Sequence, residues 1–190
     1  MMAGAYTAYD PLMLYYTDSD EANELNSSDP MALLVGFVLD QQVTVQKAFM
    51  GPLVIKERVG SLDPAVLAGT DLEAVFREKP AVHRYPGAMA ERVRALAEVI
   101  RDEYDGDAAR VWTEAASADD LKARLLALPG FGDMKVKSVS AVLYKRLGVA
   151  VAEGATPSHP TLGDVDSPEA LAEYQAQKKI HKKAWSKIKA

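Results

Sequence analysis

The stretch that decides the fold is "LPGFGDMKVKSVSAVLYKRLG", Leu128 to Gly148. A proline and two glycines around one phenylalanine interrupt helical periodicity, which resumes from Asp133. The residues before it, "SADDLKARLLALPG", predict a helix capped by Ser117, with Leu121, Leu125, Leu126 and Leu128 inward and Pro129-Gly130 as its stop. Two helices thus meet through a very short turn. Glycines at Gly130 and Gly132 permit positive φ and close backbone approach. The amides of the turn and of the next helix's first residues then point outward together, a favourable place for one phosphate. Lys135 lies one turn in. A plain helix–helix connector with Phe131 plugged into the core explains the same residues.

Outward from the turn the chain reads as helix. Asp29 or Ser28 caps a helix with Pro30 in its first turn, followed by Met31, Leu34, Val35, Val38 and Leu39 at helical spacing. Pro52 is expected to start a further short helix ending at Gly60. "LDPAVLAG" and "TDLEAVFRE" are short capped helices. "PGAMAERVRALAEVIRDEYDGD" is a long one, with Met89, Val93, Leu96, Ala97 and Ile100 as its apolar stripe. Beyond Gly148 the period fails, and residues 149–167 read as a loop of a length that is uncommon and often functional; "VAVAE" within it resembles a stray strand. Ser167-Pro168 opens a final helix, 168–190. The expected class is all-α: an N-terminal segment (1–29) on a helical core (30–148), then the loop, then a lysine-rich C-terminal helix.

The chain has 190 residues, 48% hydrophobic, which suffices for one domain with a core. No cysteine is present, which excludes disulfides, cysteine-ligated iron–sulfur clusters and a cysteine nucleophile, and agrees with a reducing cytoplasm. The sequence has no apolar run of membrane-spanning length, so no span is expected; the first residues do not read as a secretory signal. The histidines (His83, His159, His181) lack ligand spacing, so no zinc site is expected. Net charge is −5, yet the charge is uneven. Residues 178–190 carry six lysines and no acid, and 133–148 carries Lys135, Lys137, Lys145 and Arg146 against Asp133 alone. This is either a basic binding surface or a solvated helix face.

"LLALPGFGDMKVKSVSAVL" resembles the helix-hairpin-helix signature of the endonuclease III and 3-methyladenine DNA glycosylase II superfamily, the helix-hairpin-helix-GPD proteins. "LLVGFVLDQQVTVQKAFMGPLVIKERVG" resembles that family's early core helix, which ends in a glutamine-containing turn. "HRYPGAMAERVRALAEVI" resembles its middle helix. The segments follow the family's order over about residues 30–148. They are most similar to an actinobacterial-type branch that shares the "LDQQV" stretch and a lysine-rich end.

The resemblance implies a monomeric, nucleoid-associated base-excision enzyme that bends double-stranded DNA, flips a damaged base and cleaves its N-glycosidic bond. DNA contacts are implied at Gly130, Phe131, Gly132, Lys135 and Lys137. Gln42, with Gln41 beside it, takes the place of the residue that fills the gap left by the flipped base. Tyr85, Phe131 and Trp185 are candidates for stacking, core packing being the plainer role for the first two. A monovalent cation bound by backbone at Leu128–Gly132 is a further implication. The family's bifunctional members carry a Schiff-base lysine where this chain has Met134; Lys135 is about 100° further round the helix. A monofunctional enzyme is therefore expected, with Lys135 near phosphate and no cofactor. The family's aspartate, which stabilises the cationic sugar, is implied at Asp164 by residue type and position before a helix. Spacing instead favours Glu153, and Asp166 and Asp40 complete the field. Two other functions stay open: a DNA-binding module of this fold without catalysis, and a helical interaction protein.

Overall fold

The computed structural model describes residues 13–188, with side chains through residue 180. The helices are α1 (Asp20–Ser28), α2 (Pro30–Leu39), α3 (Val45–Val59), α4 (Pro64–Gly69), α5 (Leu72–Arg77), α6 (Pro86–Glu103), α7 (Arg110–Thr113), α8 (Ala118–Ala127), α9 (Asp133–Lys145) and α10 (Pro168–Ile188). Two 3₁₀ turns, Ala150–Ala155 and Leu162–Asp164, lie between α9 and α10. The described residues contain no strand, so the fold is all-α. No described helix is long and apolar enough to cross a membrane.

α2 is the centre. Every residue from Met31 to Leu39 is buried, as befits a helix apolar on all sides. Asp29 starts it by accepting from the amides of Met31 and Ala32, a cap that contributes about 1 kcal/mol. α3 packs closely along it because two contact positions lack a Cβ: one at Gly36 would run into the Phe49 ring, and one at Gly51 into Leu39. Phe49 takes Phe37 edge-on at 5.2 Å and Tyr16 at 4.8 Å. α6 covers α4, α5 and part of α2, and its five expected stripe residues are all buried.

Of the N-terminal segment, residues 13–29 are described, and Leu14 and Tyr16 are buried in the core; residues 1–12 lie outside the described residues. Asn23 Oδ1 accepts from the Tyr16 and Thr17 amides and the Thr17 hydroxyl. The buried Tyr16 hydroxyl donates to Leu162 O at 2.8 Å, fastening the start of the described chain to the second 3₁₀ turn. α10 is tied to α3 by a reciprocal amide pair, Gln46 with Gln175, at 3.2 and 2.7 Å.

Several local expectations are corrected. Pro52 does not begin a helix but lies inside the continuous α3. Burial of Val45, Ala48, Phe49, Leu53 and Ile55 on both sides of it outweighs one missing amide donor. Leu126 is exposed, while Leu121, Leu125 and Leu128 are buried. Residues 149–167 are not structureless: the 3₁₀ turns bury Ala152, Ala155, Leu162 and Val165 against α8 and α9, and "VAVAE" opens the first of them rather than forming a strand.

Candidate active site

The turn between α8 and α9 is tight. Phe131 N–H donates back to Leu128 O at 3.2 Å, and Gly130 supplies the one positive φ, +85°. Gly132 instead is extended (φ −116°, ψ 177°) and N-caps α9 with no side chain bonded to the first-turn amides. The first intrahelical bond is Val136 N–H to Gly132 O, so the amides of Asp133, Met134 and Lys135 are those a helix start leaves without intrahelical acceptors. A Cβ on Gly132 would meet nothing within 4 Å; the place is open.

Beside this turn lies a cavity of about 860 Å³, within the range of small-molecule sites. Four parts of the chain wall it: the end of α2 (Phe37, Asp40, Gln41), the hairpin and start of α9 (Gly130 and Gly132 through Lys135, with Ser138), the loop residues His159 to Thr161, and α10 (Tyr174, Gln177, Lys178).

Lys135 turns inward, correcting its expected place against an outer phosphate. Its Nζ donates to Val38 O (3.3 Å) and Gly130 O (3.2 Å) and stands 5.9 Å from the centre of the Phe131 ring. Burial pulls the amine down to about 8, against the raising influence of Asp40 and with a smaller lowering one from Arg92. The ammonium thereby satisfies a last-turn carbonyl of α2. His83 satisfies another: it is buried, and its Nε2 lies 3.1 Å from both Leu39 O and Gln41 O. Since Nδ1 accepts from the Tyr85 amide at 3.0 Å, Nε2 carries the proton and donates. Burial holds the imidazole below its usual range, so the ring is neutral.

Asp40 is treated differently. It ends α2 as the C-cap residue, where the helix dipole disfavours a negative charge. Burial pushes its carboxyl up; Lys178 and Lys135 offset this by charge alone, and no hydrogen bond to the carboxylate contributes. Tyr174 on the facing helix is raised as well, first by burial and then by Asp40 and Asp164.

The two carboxylates that the resemblance favours lie elsewhere and are engaged. Asp164 Oδ1 is 2.5 Å from Lys145 Nζ, and its Oδ2 accepts from Thr161 N at 2.8 Å in a capping box. Burial alone would raise its pKa, but Lys145 and Thr161 reverse the sign and hold it low. Glu153 is exposed and accepts from the Tyr144 hydroxyl at 2.8 Å. Neither lines the cavity.

The remaining candidates divide. Phe131 is 7% exposed and belongs to the core, which removes it from the contact surface. Lys137 is exposed. Gln41 lines the cavity and accepts from Arg92 through Oε1. Gln42 is exposed at φ +56°, and its Oε1 accepts from the Tyr85 hydroxyl at 3.2 Å. Tyr85 is 41% exposed with Arg84 over its ring, so core packing is not its role. Trp185 and the lysines beyond residue 180 lie outside the described side chains. The hairpin carbonyls do not fit the monovalent cation that the resemblance implies: Leu128 O accepts from Phe131 N–H, and Gly130 O already holds the Lys135 ammonium. Among the described residues no group of three or more histidines and carboxylates is arranged to hold a metal.

His83, Tyr174 and Lys178 escaped sequence reasoning. The signal that existed was Asp40 itself, an acid directly after nine consecutive buried residues. No family model, curated protein or solved structure matches the chain.

Proposed function

We propose that the protein is a monofunctional base-excision DNA glycosylase, acting as a monomer on duplex DNA. The observation that carries this reading is the cavity beside the Gly130–Gly132 turn. It places ionisable groups in a partly dry recess directly next to a helix start suited to a phosphate. A base rotated out of the duplex enters the recess while the flanking phosphate rests on the first-turn amides of α9. Lys137, exposed on α9, and Lys178 on α10 supply positive charge on either side. The exposed Gln42–Tyr85 pair is suited to enter the vacated position in the base stack.

Hydrolysis of the N-glycosidic bond then passes through a cationic sugar, which a carboxylate in a low-dielectric site stabilises. The monofunctional assignment rests on Lys135 being bound at the hairpin wall by two carbonyls. A panel of duplexes, each with one lesion, assayed for abasic-site formation tests the reading. Borohydride should trap no covalent enzyme–DNA species with any of them.

One observation favours a second reading, a DNA-binding module of the same fold without catalysis: Asp164 and Glu153 are both held by other side chains. Duplex binding with no excision across the panel would select it.

A further inference from the structure

Two acids line the cavity: Asp133, exposed at the start of α9, and Asp40, which faces it from the end of the buried α2. Asp40 follows the fully buried α2, so its backbone is fixed by the best-packed helix of the molecule. Across the cavity stand Lys135 from α9 and Lys178 with Tyr174 from α10. Both lysines act on Asp40 through space, and neither forms a hydrogen bond with it. A carboxylate with no hydrogen-bonded partner among the described residues, at a recess wall, has its accepting capacity turned to whatever enters.

Building on the glycosylase reading, we propose that Asp40 is the carboxylate that faces the scissile sugar. As the C1′–N bond breaks, its electron pair leaves with the base, which takes up a proton. The ionised Asp40 stabilises the positive charge that develops on the sugar. A water oxygen then bonds to C1′ and passes its proton to Asp40, which returns it to solvent. One water is consumed, and free base and an abasic sugar are formed. The flanking lysines counter the effect of burial on Asp40 by charge, without bonding to it, which leaves both oxygens for sugar and water.

The test compares wild type with Asp40→Asn and Asp164→Asn in the full chain. Its first measurement is single-turnover excision on whichever lesion duplex the wild type cuts. The second needs no turnover: affinity for a duplex holding a cationic pyrrolidine in place of the target nucleoside, against one holding a neutral tetrahydrofuran. The expected result is a loss of about 100-fold in rate for Asp40→Asn, the scale of one electrostatic stabiliser. Its preference for the cationic analogue should fall about tenfold, with affinity for the neutral one unchanged, which also certifies the fold. Asp164→Asn should match wild type in both. If Asp40→Asn cuts at the wild-type rate, or keeps the cationic preference, the assignment is overturned while the glycosylase reading stands. If the wild type cuts no lesion and binds both analogues equally, the two fall together.

Discussion

The two ends of α9 handle charge in opposite ways. At its C-terminal end Lys145 meets Asp164 at 2.5 Å, Tyr144 bonds Glu153, and Thr161 completes a capping box. Asp164 and Glu153 each have a donor there, and Asp164 titrates low. At its N-terminal end Lys135 is driven down to about 8 and Asp40 is driven up. There the charges share a recess without closing on one another. Pairing of the first kind holds a loop in place; a charge left unclosed costs stability and is free to act on a ligand. The contrast separates carboxylates bonded into the fold from Asp40, which lines the cavity without such a bond.

The sharpest way to break this contrast is to exchange the outcomes of the two acids. Asp40→Asn should cost about two orders of magnitude in single-turnover rate yet leave the melting temperature equal or higher, because a disfavoured buried charge has gone. Asp164→Ala should do the reverse, with excision near wild type and about 1 kcal/mol of stability lost with the cap. Calorimetry beside a rate assay decides, and a matching pattern for both variants would erase the distinction.

A smaller effect, about tenfold or more, is expected on binding. Replacing Lys137, exposed on α9, with glutamate should weaken duplex affinity by about 10-fold at moderate salt and flatten the salt dependence. Gly132→Asp should weaken it comparably without a fall in melting temperature, since the site is open and aspartate is a good N-cap. A fluorescence titration with unchanged affinity in both would remove the hairpin from the interface.

The smallest expected effect is a pH dependence. An amine whose folded pKa is about 8, against an ordinary 10.5, binds fewer protons folded than unfolded across that window. Stability from this group therefore rises with pH between about 8 and 10.5 and is at its lowest below 8. In Lys135→Met that increment should vanish from a series of melts at increasing pH. An unchanged slope would mean that the ammonium sits in water after all.

Much of the fold was legible because helix starts are written locally. Asp29, Asp63, Asp71, Ser117 and Ser167 all cap as their positions suggest, and the stripe of α6 is buried throughout. Pro52 misled because its local cost is outweighed by neighbours more distant in sequence. Residues 149–167 misled because 3₁₀ turns lack the 3.6-residue period. The site was harder to read. Helical rotation puts Lys135 and Met134 on different faces, but not which face meets the cavity; Met134 proves to be 72% exposed at the rim while Lys135 goes in. Nor does sequence reveal that Asp164 has a lysine within reach on the preceding helix.

The Gln46–Gln175 amide pair bears on the order of events during synthesis. Asp40 and the end of α2 emerge early, but the facing wall, Tyr174 to Lys178, is drawn into place by a contact spanning 129 positions. Until that contact closes, Asp40 is hydrated and behaves as an ordinary acid. The electrostatics of the recess thus depend on a non-local contact, the kind whose loop-closure cost comes before its reward.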